Sequence, residues 1–143
     1  MSRSLLLWAM IASAIVGLSV SAYLTYLSLM PPTSCPVGDF GIFSCDEVIY
    51  SKYAYFHGVS VALLGFGWFV IALGLILFAW RDRRFMWSVV VWSLLGAAGV
   101  AGFVYTEVFL LKVICPLCTI AHLMGLAILA LSVAGMRVRP SRT

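Results

Sequence analysis

An all-α integral membrane bundle of four helices, with an extracytoplasmic loop and short-helix lid between the first two, follows from three features of the chain. Of its 143 residues 64% are hydrophobic and 10% are charged, where a soluble domain carries about 25% charged residues. The apolar residues gather into four runs, each long enough to cross a hydrocarbon core that takes about 20 helical residues to span. One hydrophilic stretch, 31–57, separates the first run from the second. A single membrane domain over 1–143 uses the whole chain. The net charge of +4 does not mark a nucleic-acid binder, because the basic residues sit at the ends of the runs rather than along one stripe. Asn and Gln are absent, so buried polar work falls to Ser, Thr, Tyr, His, Cys and the backbone.

The first span, 5–29, is apolar but for Ser and Thr, and Pro31-Pro32 ends it. Ala12-Ser13-Ala14 resembles a signal-cleavage site, yet the apolar run continues well past it, as a retained helix does. In the 31–57 stretch the first half, Thr33 to Asp39, is turn-rich and irregular. The second half opens Ser44-Cys45-Asp46-Glu47, where Ser44 or Asp46 caps a short helix with acids in its first turn. Val48, Ile49, Tyr53 and Phe56 give that helix an apolar face suited to lying in the interface. An ordinary extramembrane loop is the plain alternative, and the two cysteines favour the lid. The second span, 58–80, carries Gly58, Gly65, Gly67 and Gly74, which permit close helix approach. The third, 85–106, follows a charged turn and is thinnest at Gly96 to Gly102, where backbones pack or a flat ligand enters. Residues 107–113 connect to the fourth span, 114–136. Trp8, Trp68, Trp80, Trp87 and Trp92 read as lipid-facing or interfacial anchors, and His57 as a boundary residue.

Counting cations orients the bundle. Arg3, Arg81, Arg83, Arg84, Arg137, Arg139 and Arg142 fall on one side, and only Lys52 and Lys112 on the other. The excess of positive charge on cytoplasmic loops then puts both termini in the cytoplasm. Cys35, Cys45, Cys115 and Cys118 all share the opposite, oxidising face, together with Asp39, Asp46, Glu47 and Glu107.

Cys115-Pro116-Leu117-Cys118 is the stretch that carries chemistry. Proline suits the first position of a helix, where its missing N–H has no partner, so Cys115 stands at the start of the fourth span. The unpaired N–H groups and dipole there are expected to stabilise a thiolate and lower its pKa. Disulfide exchange needs a thiolate, a disulfide in line with it and a mobile element. The fixed CxxC and the loop pair Cys35/Cys45 supply these. With no CxxCH haem motif and no Rossmann glycines, the electrons have one exit, a lipid-soluble quinone within the bundle.

Cys35-x-Val37-Gly38, Ser44-Cys45-x-x-Val48-x-x-Ser51-x-Tyr53, Gly58-Val59-Ser60-x-Ala62-x-x-Gly65 and Cys115-x-x-Cys118 together resemble the vitamin K epoxide reductase family over essentially the whole chain. The loop pair precedes the CxxC, the reverse of the order in DsbB-type disulfide-forming proteins. The resemblance implies that Cys118 faces the quinone, that Cys115 exchanges with Cys45, and that Cys35 takes electrons from a separate thioredoxin-fold, DsbA-like partner. Ser51 matches a hydroxyl that supports the site. Bacterial and archaeal members so form disulfides, whereas animal members reduce vitamin K epoxide and quinone with the same thiols. Two departures stand out. The Asn that bonds the quinone in animal members is missing, and His122 stands where they have Tyr. His122 is one turn beyond Cys118 on the same helix face. It is expected either to donate to a quinone carbonyl or to stabilise the Cys118 thiolate; a packing histidine bonded to a backbone carbonyl is the alternative.

Two other classes compete. Cys115, Cys118 and His122 offer thiolate and imidazole ligands for Zn or Cu, but that reading leaves Cys35 and Cys45 idle. A structural membrane protein whose loop disulfide staples a lid leaves the CxxC unexplained. The redox reading therefore needs no metal, and takes menaquinone or ubiquinone as acceptor. With no thioredoxin domain following the fourth span and only short tails, it points to a prokaryotic cytoplasmic (inner) membrane.

Overall fold

The computed structural model describes residues 2–30 and 41–138. Helix α1 (Arg3–Leu29) is followed by the short α2 (Cys45–Ile49), a 3-10 turn (Lys52–Ala54) and a hairpin of β1 (Tyr55–Phe56) and β2 (Val59–Ser60). Helices α3 (Val61–Arg81), α4 (Phe85–Tyr105) and α5 (Pro116–Arg137) complete the bundle. Among the described residues four helices are long and apolar enough to cross a membrane, the third of them running on through a π-helical turn, Thr106–Leu111. The predicted irregular stretch Thr33 to Asp39, with Cys35, lies outside the described residues.

α1 packs along α5 and α3, and α4 closes against the same two helices. Leu6, Met10, Ala14, Gly17, Ser21 and Leu24 are buried along α1, a stripe at spacings of three and four that keeps one helical face inward. Its small residues let α3 come close: a Cβ at Gly17 would lie 2.2 Å from the Phe69 ring. Two apolar clusters result. Leu7, Met10, Phe69, Ile76, Met86 and Ile128 fill the arginine end, whereas Leu24, Leu27, Ile49, Cys45 and Cys115 form the other.

The polar economy expected without Asn or Gln is visible. Ser13, Ser19 and Thr25 hydroxyls donate to carbonyls four residues back at 2.8–2.9 Å, the usual way to satisfy a hydroxyl in a membrane helix. Arginines do more than set orientation. Arg3 donates to Ala79 O at 2.7 Å and Arg83 to the carbonyls of Met136 and Val138, meeting orphan carbonyls at the C-terminal ends of α3 and α5. These contacts hold the N-terminus of α1, the α3–α4 turn and the end of α5 at one end of the bundle, as the charge count requires.

Several boundaries differ from expectation. The second span begins at Val61 rather than 58, because His57 (φ 49) and Gly58 (φ 83) form the hairpin turn; two successive positive φ values make the tight turn that matches strand twist. Gly58 therefore serves the turn, not helix packing. The lid helix stops at Ile49 instead of reaching Phe56, whose side chain points outward, 64% exposed. Residues 107–111 continue the third span, and α5 starts at Pro116 with Cys115 as its N-cap.

Candidate active site

The lid is tied to the bundle at both flanks. Ser44 is the N-cap of α2, its side chain accepting from the Glu47 N–H at 3.3 Å. The Tyr50 hydroxyl donates to Leu27 O (2.9 Å) and Met30 O (3.0 Å), and that of Tyr55 to Ser28 O (3.2 Å). All three carbonyls lie at the C-terminal end of α1, where helical partners run out, and Leu27 O also accepts from the Met30 N–H at 3.1 Å. On the other flank, Ile114 N–H donates to Ile42 O (2.8 Å) and Ser44 N–H to Ile114 O (3.2 Å), a parallel bridge of Phe43 with Ile114. The bridge sets Cys45 and Cys115 side by side.

Their sulfurs are 3.2 Å apart, both residues are buried, and Cys115 is 0% exposed. Cys115 Sγ also accepts from the Cys118 N–H at 3.2 Å, the capping contact of α5. That N–H lowers the Cys115 pKa, as the helix-end argument requires, yet the net effect has the opposite sign. The hydrogen bond with the Cys118 side chain and then burial push the Cys115 thiol up, and the opposing hydrogen bond with Cys45 does not offset them. The expectation of a low-pKa Cys115 thiolate is thus corrected: a thiol packed against two other sulfurs away from water holds its proton.

Cys118, one turn in, is half-buried and faces an apolar cavity of about 310 Å³ between α1, α3, α4, α5 and the lid. Cys118, His122, Ser51 and Glu107 are polar groups on its wall, and Trp68 and Phe103 offer flat apolar surface. Such a volume is at the lower end for small-molecule sites. A flat ring with polar edges, such as a quinone head, fits this arrangement. Ser51 donates to Val48 O at 2.9 Å, leaving its oxygen lone pairs toward other partners. The His122 ring lies parallel to Phe103, centroids 6.2 Å apart. No hydrogen bond among the described residues engages its nitrogens, so the histidine bonded to a backbone carbonyl is not what is found. Among the described residues no three His, Cys, Asp or Glu side chains gather as metal ligands.

Two tryptophans depart from the role expected of them. Trp68 is a wall of the cavity, stacked on Trp92 at 6.3 Å, and Trp92 Nε1 donates to Trp68 O at 3.1 Å. Gly96 makes the space, since a Cβ there would lie 2.4 Å from the Trp68 ring. Trp8, Trp80 and Trp87 are exposed on the outside as expected. His57 is an exposed turn residue.

Glu107 is the residue sequence reasoning misplaced. Read as an outer-face charge in a connection, it is 5% exposed, lines the cavity and accepts from the Cys115 N–H through Oε2 at 3.4 Å. The wholly apolar run Val108 to Leu111 after it signals that the span continues there, but not which way the Glu107 side chain turns. The π-helical turn, a distortion frequent at functional sites, carries it.

Four apolar helices around a cavity with a free thiol on its wall fit an integral membrane oxidoreductase. A model of the vitamin K epoxide reductase family matches residues 8–133, and the chain belongs to that family. Membership brings the coarse activity with it, a quinone-linked disulfide or epoxide reductase in a membrane. Comparison with curated proteins gives no match.

Proposed function

We infer that the protein is a thiol–disulfide oxidoreductase that passes electrons from a thioredoxin-fold partner to a quinone and so supports disulfide bond formation. The observation that carries this is the 3.2 Å approach of Cys45 to Cys115, with Cys118 on the cavity wall beside them. Cys35 takes the electron pair from the partner's dithiol, Cys45 passes it to Cys115, and Cys118 delivers it into the cavity. Cys118, His122 and Ser51 hold the quinone, menaquinone or ubiquinone, which accepts two electrons and two protons; no metal enters the cycle. The arginine-rich end faces the cytoplasm with both termini, and the thiol end faces outward from a prokaryotic cytoplasmic (inner) membrane.

Mass-spectrometric thiol trapping with and without quinone tests this. Quinone should convert Cys115 and Cys118 to a disulfide, and trapping that does not respond to quinone overturns the reading. Cys35→Ser should lower oxidation of the protein partner about 100-fold, while dithiothreitol-driven quinone reduction stays within about threefold. If dithiothreitol cannot restore turnover in this variant, the relay order is wrong. His122→Phe keeps a flat ring but loses the donor, and kcat for quinone reduction should fall about 10-fold; unchanged turnover removes His122 from the mechanism.

A further inference from the structure

Glu107 is a buried carboxyl that the thiol relay leaves without a task. It is 5% exposed within a membrane-spanning helix, where ionisable groups are costly and mark function by default. Among the described residues the one hydrogen bond of its carboxyl group is the long contact with Cys115 N–H at 3.4 Å, whereas a carboxylate has about four acceptor sites to satisfy. Its other exposure is to the cavity that Cys118 and His122 line. It therefore touches one reacting cysteine and the space in which the acceptor sits.

The chemistry has a matching need. Oxidising the Cys115/Cys118 dithiol breaks two S–H bonds and forms one S–S bond. The electron pair goes to the quinone, which gains two O–H bonds as quinol. Electrons and protons balance, but the protons must cross from sulfur to oxygen inside an apolar cavity. We propose that Glu107 is the proton carrier of this site, taking a proton released from Cys115 and giving it to a quinone oxygen. It ends each cycle in the protonation state in which it began.

Cys118 and His122 from α5 and Tyr53 from the 3-10 turn line the same cavity as Glu107, and Cys115 bonds to it. The titratable groups of the short α2 nearby are Cys45, Asp46 and Glu47, and Lys112 follows along the chain. Glu47 and Lys112 are exposed, and the cysteines are themselves reactants. Glu107 both lines the cavity and bonds to Cys115, through the Cys115 backbone N–H.

The inference rests on the quinone-linked reading above, and one experiment separates the two. Glu107→Gln keeps an acceptor for the Cys115 N–H but cannot carry a proton. Dithiothreitol-driven reduction of a short-chain quinone by the full chain should lose about 100-fold in kcat, with KM within about threefold. The pH dependence of kcat belonging to Glu107 should vanish with it. Glu107→Asp should recover part of the rate with a shifted pH profile, and it serves as the test if the Gln variant does not fold. Wild-type kcat and pH profile in Glu107→Gln, or an unshifted profile in Glu107→Asp, overturns the proposal, as does a loss confined to KM. A wild-type protein that reduces no quinone overturns both this and the functional reading.

Discussion

Cys118→Ser is expected to abolish thiol-driven quinone reduction, lowering the rate by about 10³-fold or more, because effects of this order follow removal of a group that acts as a unit with its partners. Cys118 is the sulfur on the cavity wall; Cys115 is 0% exposed and lies behind it. Serine at 118 leaves Cys45 and Cys115 still in contact but removes the sulfur that hands electrons to the quinone, so in the presence of quinone both should stay reduced thiols. Mass-spectrometric thiol trapping reads their state, and quinone absorbance follows the rate. Turnover within about threefold of wild type would show that the electrons leave by another sulfur.

Ser44→Pro should produce the second large effect, and of a different kind. The Ser44 N–H donates to Ile114 O, its side chain caps α2, and its φ is −142. Proline removes the donor and forces φ toward about −65°, so the bridge between Phe43 and Ile114 opens and Cys45 leaves Cys115. Partner-driven turnover should fall about 100-fold, while dithiothreitol, gaining access to Cys115, sustains quinone reduction within about threefold. Ser44→Ala is the control: it loses only the cap, about 1 kcal/mol, and should keep most partner-driven activity. Equal losses in both assays for Ser44→Pro would show general unfolding instead of a released latch.

The two variants probe what was readable at different depths. The four spans come from length and hydropathy, and the expectation of a common face for the thiols from the placing of arginines, quantities that need no knowledge of neighbours. Cys118 beside His122 is readable too, since i and i+4 share a helix face. The π-helical turn is not: Thr106 to Leu111 continues an ordinary helical pattern, and only packing decides that the backbone widens there and brings Glu107 inward. Trp68 was misread for a related reason. In a helix apolar on every side, hydrophobicity cannot tell the lipid face from the core face, and the glycine opposite, Gly96, lies on another helix.

By itself, then, the chain's sequence determined a four-span membrane protein and its family, because both follow from local composition and motif spacing. The family resemblance implied that Cys45 exchanges with Cys115, and the tertiary structure brings their sulfurs within 3.2 Å; it alone decided that Cys115 is a guarded thiol. It alone placed Glu107 and Trp68 on the cavity wall. These depend on a backbone bridge between segments about 70 residues apart and on which side of each apolar helix faces its neighbours, and neither leaves a mark in local sequence.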